Sequence, residues 1–300
     1  MRHRIEYAIA WLLLRSIGVL PRPVARAFGI GVGKLAYLLF ARLRRVGMQN
    51  LTLAFPEKTD AERRAILKGV YRSLGRQLAE FCLLPRYQRD GLEKLVVYDG
   101  LDHYLAAKAR GKGVLFATAH LSAWEVSSFA HSLYGHPMAI MVRPLDNPYV
   151  DRMVTRLRTM HGNRVIRKES AARALLSAMK ANETVGILAD INMWPPQGIF
   201  VDFFGIPACT AGLVARVAMH TDAAVLPAFI VWDEERKRYR IVFEPAITLV
   251  KSEDAERDVV SNTQALTLAI ESMVRRYPDQ WLWLHRRWKA RPPGEAAIYS

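Results

Sequence analysis

From about residue 101 onward, short apolar runs alternate with amphipathic stretches. "GVLFATA" (113–119), "MAIMVR" (138–143), "TVGILAD" (184–190), "AAVLPAFIV" (223–231) and "RYRIVFEP" (238–245) have the length and continuous apolar character of buried strands. Between them lie helical patterns at about 101–110, from about 122, at "NPYVDRMVTRLRTMHG" (147–162), at "SAARALLSAMKANE" (170–183), at "AGLVARVAMHT" (211–221) and at about 255–276. Asn147 caps the third of these, Pro148 opens it and Gly162 closes it. An earlier helix covers about 60–84, with Asp60 as N-cap and Pro85 beyond its end. Apolar strands alternating with helices predict an α/β fold, a mostly parallel central sheet flanked by helices. There is no internal repeat and no low-complexity linker.

The first 50 residues read differently. "YAIAWLLLRSIGVLP" and "VARAFGIGVGKLAYLLF" are apolar but interrupted by Arg15, Arg26 and Lys34. Neither offers the ~20 uninterrupted apolar residues of a membrane span. The division expected is therefore 1–50, hydrophobic basic helices that anchor by lying in a membrane surface, and 51–300, one enzymatic domain. The glycines Gly29, Gly31 and Gly33 lack the spacing and the preceding strand of a dinucleotide loop.

Charge sharpens this picture. Of a net +15, nine Lys/Arg against Glu6 alone fall in residues 1–50, and six against Asp279 alone fall in residues 275–291. Both basic ends are interleaved with aromatic or aliphatic residues. That pattern fits an anionic membrane surface at least as well as a nucleic acid, and the membrane is the partner expected here. "QWLWLHRRW", with Trp281, Trp283 and Trp288 beside Arg286 and Arg287, has the composition of a lipid interface, and equally that of a terminal strand or helix packed on the core. Neutralising Arg286 and Arg287 is then expected to weaken membrane or donor association.

Three strands end in a polar residue: His120, Arg143 and Asp190. Sites of open α/β sheets collect at those ends. "HLSAWE" (120–125) has two readings. Ser122 and Glu125 make S-x-x-E, a capping box. Alternatively, Glu125 accepts the Nδ1 hydrogen of His120 and leaves Nε2 as a general base.

The same six residues have the H-x4-[D/E] form of glycerolipid-type acyltransferases. Three further blocks, 142–166, "ILADINMWPPQGIFVDFFGIPACTAG" (187–212) and "YPDQWLWLHRRWKARPPGE" (277–295), resemble the lipid A biosynthesis late acyltransferase (lauroyl/myristoyl acyltransferase) family. Those family members often have Asp-Gln where this chain has Asp190-Ile191, so a role for the second residue does not carry over. The resemblance implies a glycerolipid acyltransferase-like fold and an O-acyltransferase with His120 and Glu125 as catalytic pair. It also implies Arg158 and Asp190 as site residues that bind substrate or support the pair, with Arg143 as a weaker substrate-binding candidate. The implied donor is acyl carrier protein or acyl-CoA, and the acceptor a lipid A precursor or related glycolipid. No cofactor, metal or nucleic acid is implied, and the implied place is the cytoplasmic face of the inner membrane. Another lipid acceptor, or a basic membrane-binding protein without activity, remain the alternatives. Other enzyme classes lack their motifs. No G-x-S-x-G, H-E-x-x-H or G-x-x-x-x-G-K-[ST] occurs, the eight histidines are scattered, and the two cysteines have no metal-site spacing.

Overall fold

The computed structural model describes residues 1–168 and 171–299. Four helices come first: α1 (Arg2–Gly18), α2 (Arg22–Leu39), α3 (Ala41–Ala54) and α4 (Asp60–Leu83). A short α5 (Arg89–Leu92) leads to β1 (Val96–Asp99), α6 (Leu101–Ala109), β2 (Val114–Thr118), α7 (Trp124–Leu133), β3 (Ala139–Val142) and α8 (Pro148–Arg158). Then follow β4 (Arg164–Arg167), α9 (Ala171–Lys180), β5 (Thr184–Leu188), a hairpin of β6 (Gly198–Phe203) and β7 (Ile206–Ala211), α10 (Leu213–Thr221), β8 (Ala224–Asp233), β9 (Arg238–Phe243) and α11 (Ala255–Arg276). The expected start of α9 at Ser170 lies outside the described residues. Short strands β1 and β4, the hairpin and α3 escape the hydrophobic pattern, because each is brief or carries mixed polarity.

The central sheet has seven strands in the order β1-β9-β8-β2-β5-β3-β4. All neighbours are parallel except β8 and β9, so the sheet is mostly parallel, as the alternating pattern predicts. Side chains of β2 alternate between the two faces. Leu115 and Ala117 join a core with α9, α10, α11 and the closing tryptophans, whereas Val114 and Phe116 join a second core with α6 and α7. Burial on both faces is why these strands read as unbroken apolar runs.

Asn147 caps α8, accepting from the N–H of Tyr149 (3.0 Å) and Val150 (3.3 Å). For α4 the cap is Thr59 rather than Asp60, because Thr59 and Glu62 close a reciprocal capping box. The glycines of α2 serve packing. A Cβ on Gly29 would stand 2.2 Å from the Gly75 carbonyl oxygen, and one on Gly33 would stand 2.2 Å from that of Tyr71. Their absence lets α2 lie directly against α4. The opposite side of α2, with Val24, Phe28, Leu35 and Leu38, is exposed. Among the described residues no single helix is long and apolar enough to cross a membrane; α2 and α3 pass that test only together, across an 88° bend.

Candidate active site

Strands β2 and β5 pair with Thr118 opposite Leu188. The pairing continues past their ends, where the Ala189 N–H donates to the Thr118 carbonyl at 2.9 Å. Two residues beyond Thr118 and Leu188, His120 and Asp190 therefore face each other. Asp190 Oδ1 accepts from His120 Nδ1 at 2.8 Å, and its Oδ2 accepts from the His120 backbone N–H at 2.7 Å and the Trp281 indole N–H at 2.8 Å. A carboxylate on Nδ1 fixes the tautomer and leaves Nε2 as the acceptor. Burial pushes the His120 imidazole down, but the adjacent Asp190 carboxylate outweighs it and holds the group above its ordinary 6.5. Burial likewise raises Asp190, and the contacts from His120 and Trp281 more than reverse this, so its carboxyl sits below the usual range.

The Nδ1 partner of His120 is thus Asp190, not Glu125. Register explains the difference. Asp190 arrives on the neighbouring strand at the matching position, whereas the chain turns sharply between His120 and Glu125. Ser122 is in the left-handed region (φ 51°), and its N–H donates to the Gln280 carbonyl at 2.8 Å. No capping box forms here: α7 begins at Trp124 with no side-chain cap. Glu125, in its first turn, instead takes a bidentate pair from Arg158, the last residue of α8, with Nε–Oε2 2.9 Å and Nη2–Oε1 2.5 Å. Burial lowers Arg158, and Glu125 more than compensates, so the net shift is upward.

The other expected site residues separate. Asp190 is only 3% exposed and its oxygens are engaged by His120 and Trp281, a placement that suits support of His120 more than contact with substrate. Arg143 stands on the surface, paired with Asp146 at 3.0 Å, and is not among the residues that line the cleft.

The closing segment takes the core-packed of its two readings. Trp281, Trp283, Trp288 and Arg287 are buried rather than presented to lipid, because the hairpin and α11 close over them. Arg287 donates to the carbonyls of Cys209 (2.9 Å) and Ile191 (3.3 Å) and to Thr210 Oγ1 (2.5 Å), and burial lowers it to about 10. Neutralising it would remove buried donors from their acceptors, so it cannot serve as a clean probe of surface binding. Arg286 is half-buried, its guanidinium 5.6 Å from the Tyr299 ring centre. Next to this segment, Phe203 meets Trp281 and Trp288, with Phe204 and Gly205 making the hairpin turn.

Two contributors escaped the sequence reading. Trp281 donates to Asp190, and His285 Nε2 accepts from the Asn192 N–H at 2.9 Å. Burial, reinforced by cations including Arg287, lowers His285 to about 4, so this ring stays neutral. Both lie in the closing block whose likeness to the family was visible; nothing in their spacing says which loop they hold.

Beside His120 a narrow apolar cleft of about 60 Å³ runs beneath α7. The Glu125–Arg158 pair and Trp124 line it, the latter packing edge-on against His120 with ring centres 5.0 Å apart. Its deeper walls are Phe116, Met138, Ile140, Leu188 and Phe243, with His131 among them.

Comparison with known proteins shows the family of the chain. The profile of the family described as "Bacterial lipid A biosynthesis acyltransferase" matches residues 1–290. The lipid A biosynthesis lauroyltransferase of Escherichia coli (strain K12) is 27% identical over 298 residues, covering 96% of this chain and 95% of that one. The palmitoleoyltransferase of the same strain is 27% identical, covering 96% and 94%, and its myristoyltransferase is 24% identical, covering 98% and 91%. This chain belongs to the bacterial lipid A biosynthesis acyltransferase family and is an acyltransferase.

Proposed function

We propose that this protein moves a fatty acyl chain from an acyl thioester, on acyl carrier protein or coenzyme A, to a hydroxyl of a lipid A precursor at the cytoplasmic face of the inner membrane. The observation that carries the chemical part is the Asp190–His120 contact, which leaves His120 Nε2 ready to accept a proton. In this reading Nε2 takes the acceptor's hydroxyl proton as its oxygen attacks the thioester carbonyl. The tetrahedral intermediate collapses, the C–S bond breaks, and the imidazolium returns the proton to the departing thiolate. Asp190 is a positioning residue that stabilises the imidazolium.

Glu125 takes a different part from the one its spacing implies. It anchors Arg158 at the mouth of the cleft, using Nε and one Nη2 hydrogen and leaving Nη1 for the developing oxyanion. The acyl chain enters the cleft beneath α7. At about 60 Å³ that space admits a long chain only when the unbranched Met138 and Met141 side chains give way. The exposed apolar faces of α1 and α2, with the basic residues of the first 50, support residence on the membrane surface.

Membranes carrying the wild type or His120→Ala, supplied with labelled acyl carrier protein or acyl-CoA, test this reading. A new acylated lipid A precursor, resolved by mass, is expected with wild type and at least ~10²-fold less with the variant. Equal product from both proteins would reject His120 as the base, and a product on another lipid would reject the acceptor.

A further inference from the structure

A second cavity, of about 780 Å³, opens between α1, the carboxyl end of α4 and α8. It shares no lining residue with the cleft beside His120. Arg152 and Arg156 of α8 line it, whereas Arg158 of the same helix lines the cleft. At 3.6 residues per turn, positions two and six before Arg158 lie far round the helix from it. The cavity is therefore a separate place, independent of the proposed transfer reaction.

Its lining is chemically one-sided. Four arginines, Arg15, Arg86, Arg152 and Arg156, contribute to it, and no Asp or Glu does. Arg86 is fixed at the seam, donating to the carbonyls of Gly18 (2.8 Å) and Leu20 (2.9 Å). Arg15 stacks its guanidinium 5.6 Å from the Trp11 ring centre. Arg152 and Arg156 are exposed, and neither side chain has a hydrogen bond or ion pair among the described residues. Beneath this charge the walls are apolar, with Leu14, Met153, Leu157 and Met160. Next to it, Ile9, Leu12 and Leu13 of α1 point their apolar surface outward.

Unmatched guanidinium groups over an apolar recess fit a molecule with an anionic head and a hydrocarbon tail. Free phosphate has no use for the recess, and a neutral lipid has none for the four cations. We propose that this cavity holds one anionic membrane phospholipid, its phosphate among Arg15, Arg86, Arg152 and Arg156 and an acyl chain along the α1–α8 seam. The lipid then ties the first helix to the body of the enzyme.

The full-length protein, extracted in a neutral detergent, is examined by native mass spectrometry after addition of phosphatidylglycerol, phosphatidylcholine or inorganic phosphate. One bound phosphatidylglycerol is expected, preferred about tenfold or more over phosphatidylcholine. Arg152→Gln/Arg156→Gln is expected to lose that binding about tenfold or more. Met153→Trp fills the recess with the charges intact and is expected to lose it as well. Equal binding of both phospholipids, or retention in the double variant, overturns the proposal. So does retention in Met153→Trp alone, which would make the contact purely electrostatic. Thermal stabilisation by inorganic phosphate equal to that by phosphatidylglycerol would overturn it too, leaving an anion site without a lipid.

Discussion

Asp190 is a carboxylate almost wholly removed from water, and an ionised group there is stable only when its lone pairs are used. The His120 backbone N–H, the His120 ring and the Trp281 indole use them. The same three contacts fix where the imidazole stands and which nitrogen carries the hydrogen. Removing the charge while keeping the shape isolates that effect. In Asp190→Asn the imidazole loses the partner that raises it, so the acidic limb of the kcat/KM–pH profile moves to lower pH. The sign follows from the base being active when neutral: a raised group loses activity at a higher pH as acid is added. The rate itself is expected to fall by ~10²–10⁴-fold. An unmoved acidic limb with nearly full activity would remove Asp190 from the mechanism.

At the scale of elements, the α2–α4 contact shows how spacing becomes packing. Gly29, Gly31 and Gly33 look alike in sequence, but only the first and third face α4. Gly33→Val forces a side chain against the Tyr71 carbonyl and is expected to destabilise the fold by about 1–3 kcal/mol. Gly31 is exposed, and a Cβ added there would meet nothing within 4 Å. Gly31→Ala is accordingly expected to stabilise by about 0.5–1 kcal/mol through helix propensity. Denaturant melts of the two variants give the comparison, and shifts of the same sign would refute the crossing described here.

For the whole molecule, charge and apolar surface are segregated at the amino-terminal end. Leu38, Leu39 and Phe40 are 68%, 65% and 54% exposed at the bend between α2 and α3, close in sequence to Arg42, Arg44 and Arg45. Inserting a leucine side chain into hydrocarbon contributes about 1.5–3 kcal/mol, and each nearby cation adds about 1 kcal/mol at an anionic surface. Leu38→Asp/Leu39→Asp is therefore expected to reduce flotation with phosphatidylglycerol-containing vesicles at least tenfold while circular dichroism stays unchanged. Undiminished flotation would reject this bend as a membrane contact.

Local pattern determined much of this protein. Buried strands announce themselves as apolar runs, and Asn147-Pro148 marks the start of α8 because cap chemistry is local. His120 and Glu125 stand out for the same reason, by their spacing on one short stretch. Who pairs with whom was decided by the tertiary structure. Asp190 reaches His120 because two distant strands are neighbours in matching register, and Arg158 claims Glu125 because α8 ends beside the start of α7. The closing tryptophans have a composition suited to lipid, yet they are buried, since composition does not say which surface another element will cover. Contacts between residues far apart in the chain depend on sheet order and register, and neither leaves a mark on the residues themselves.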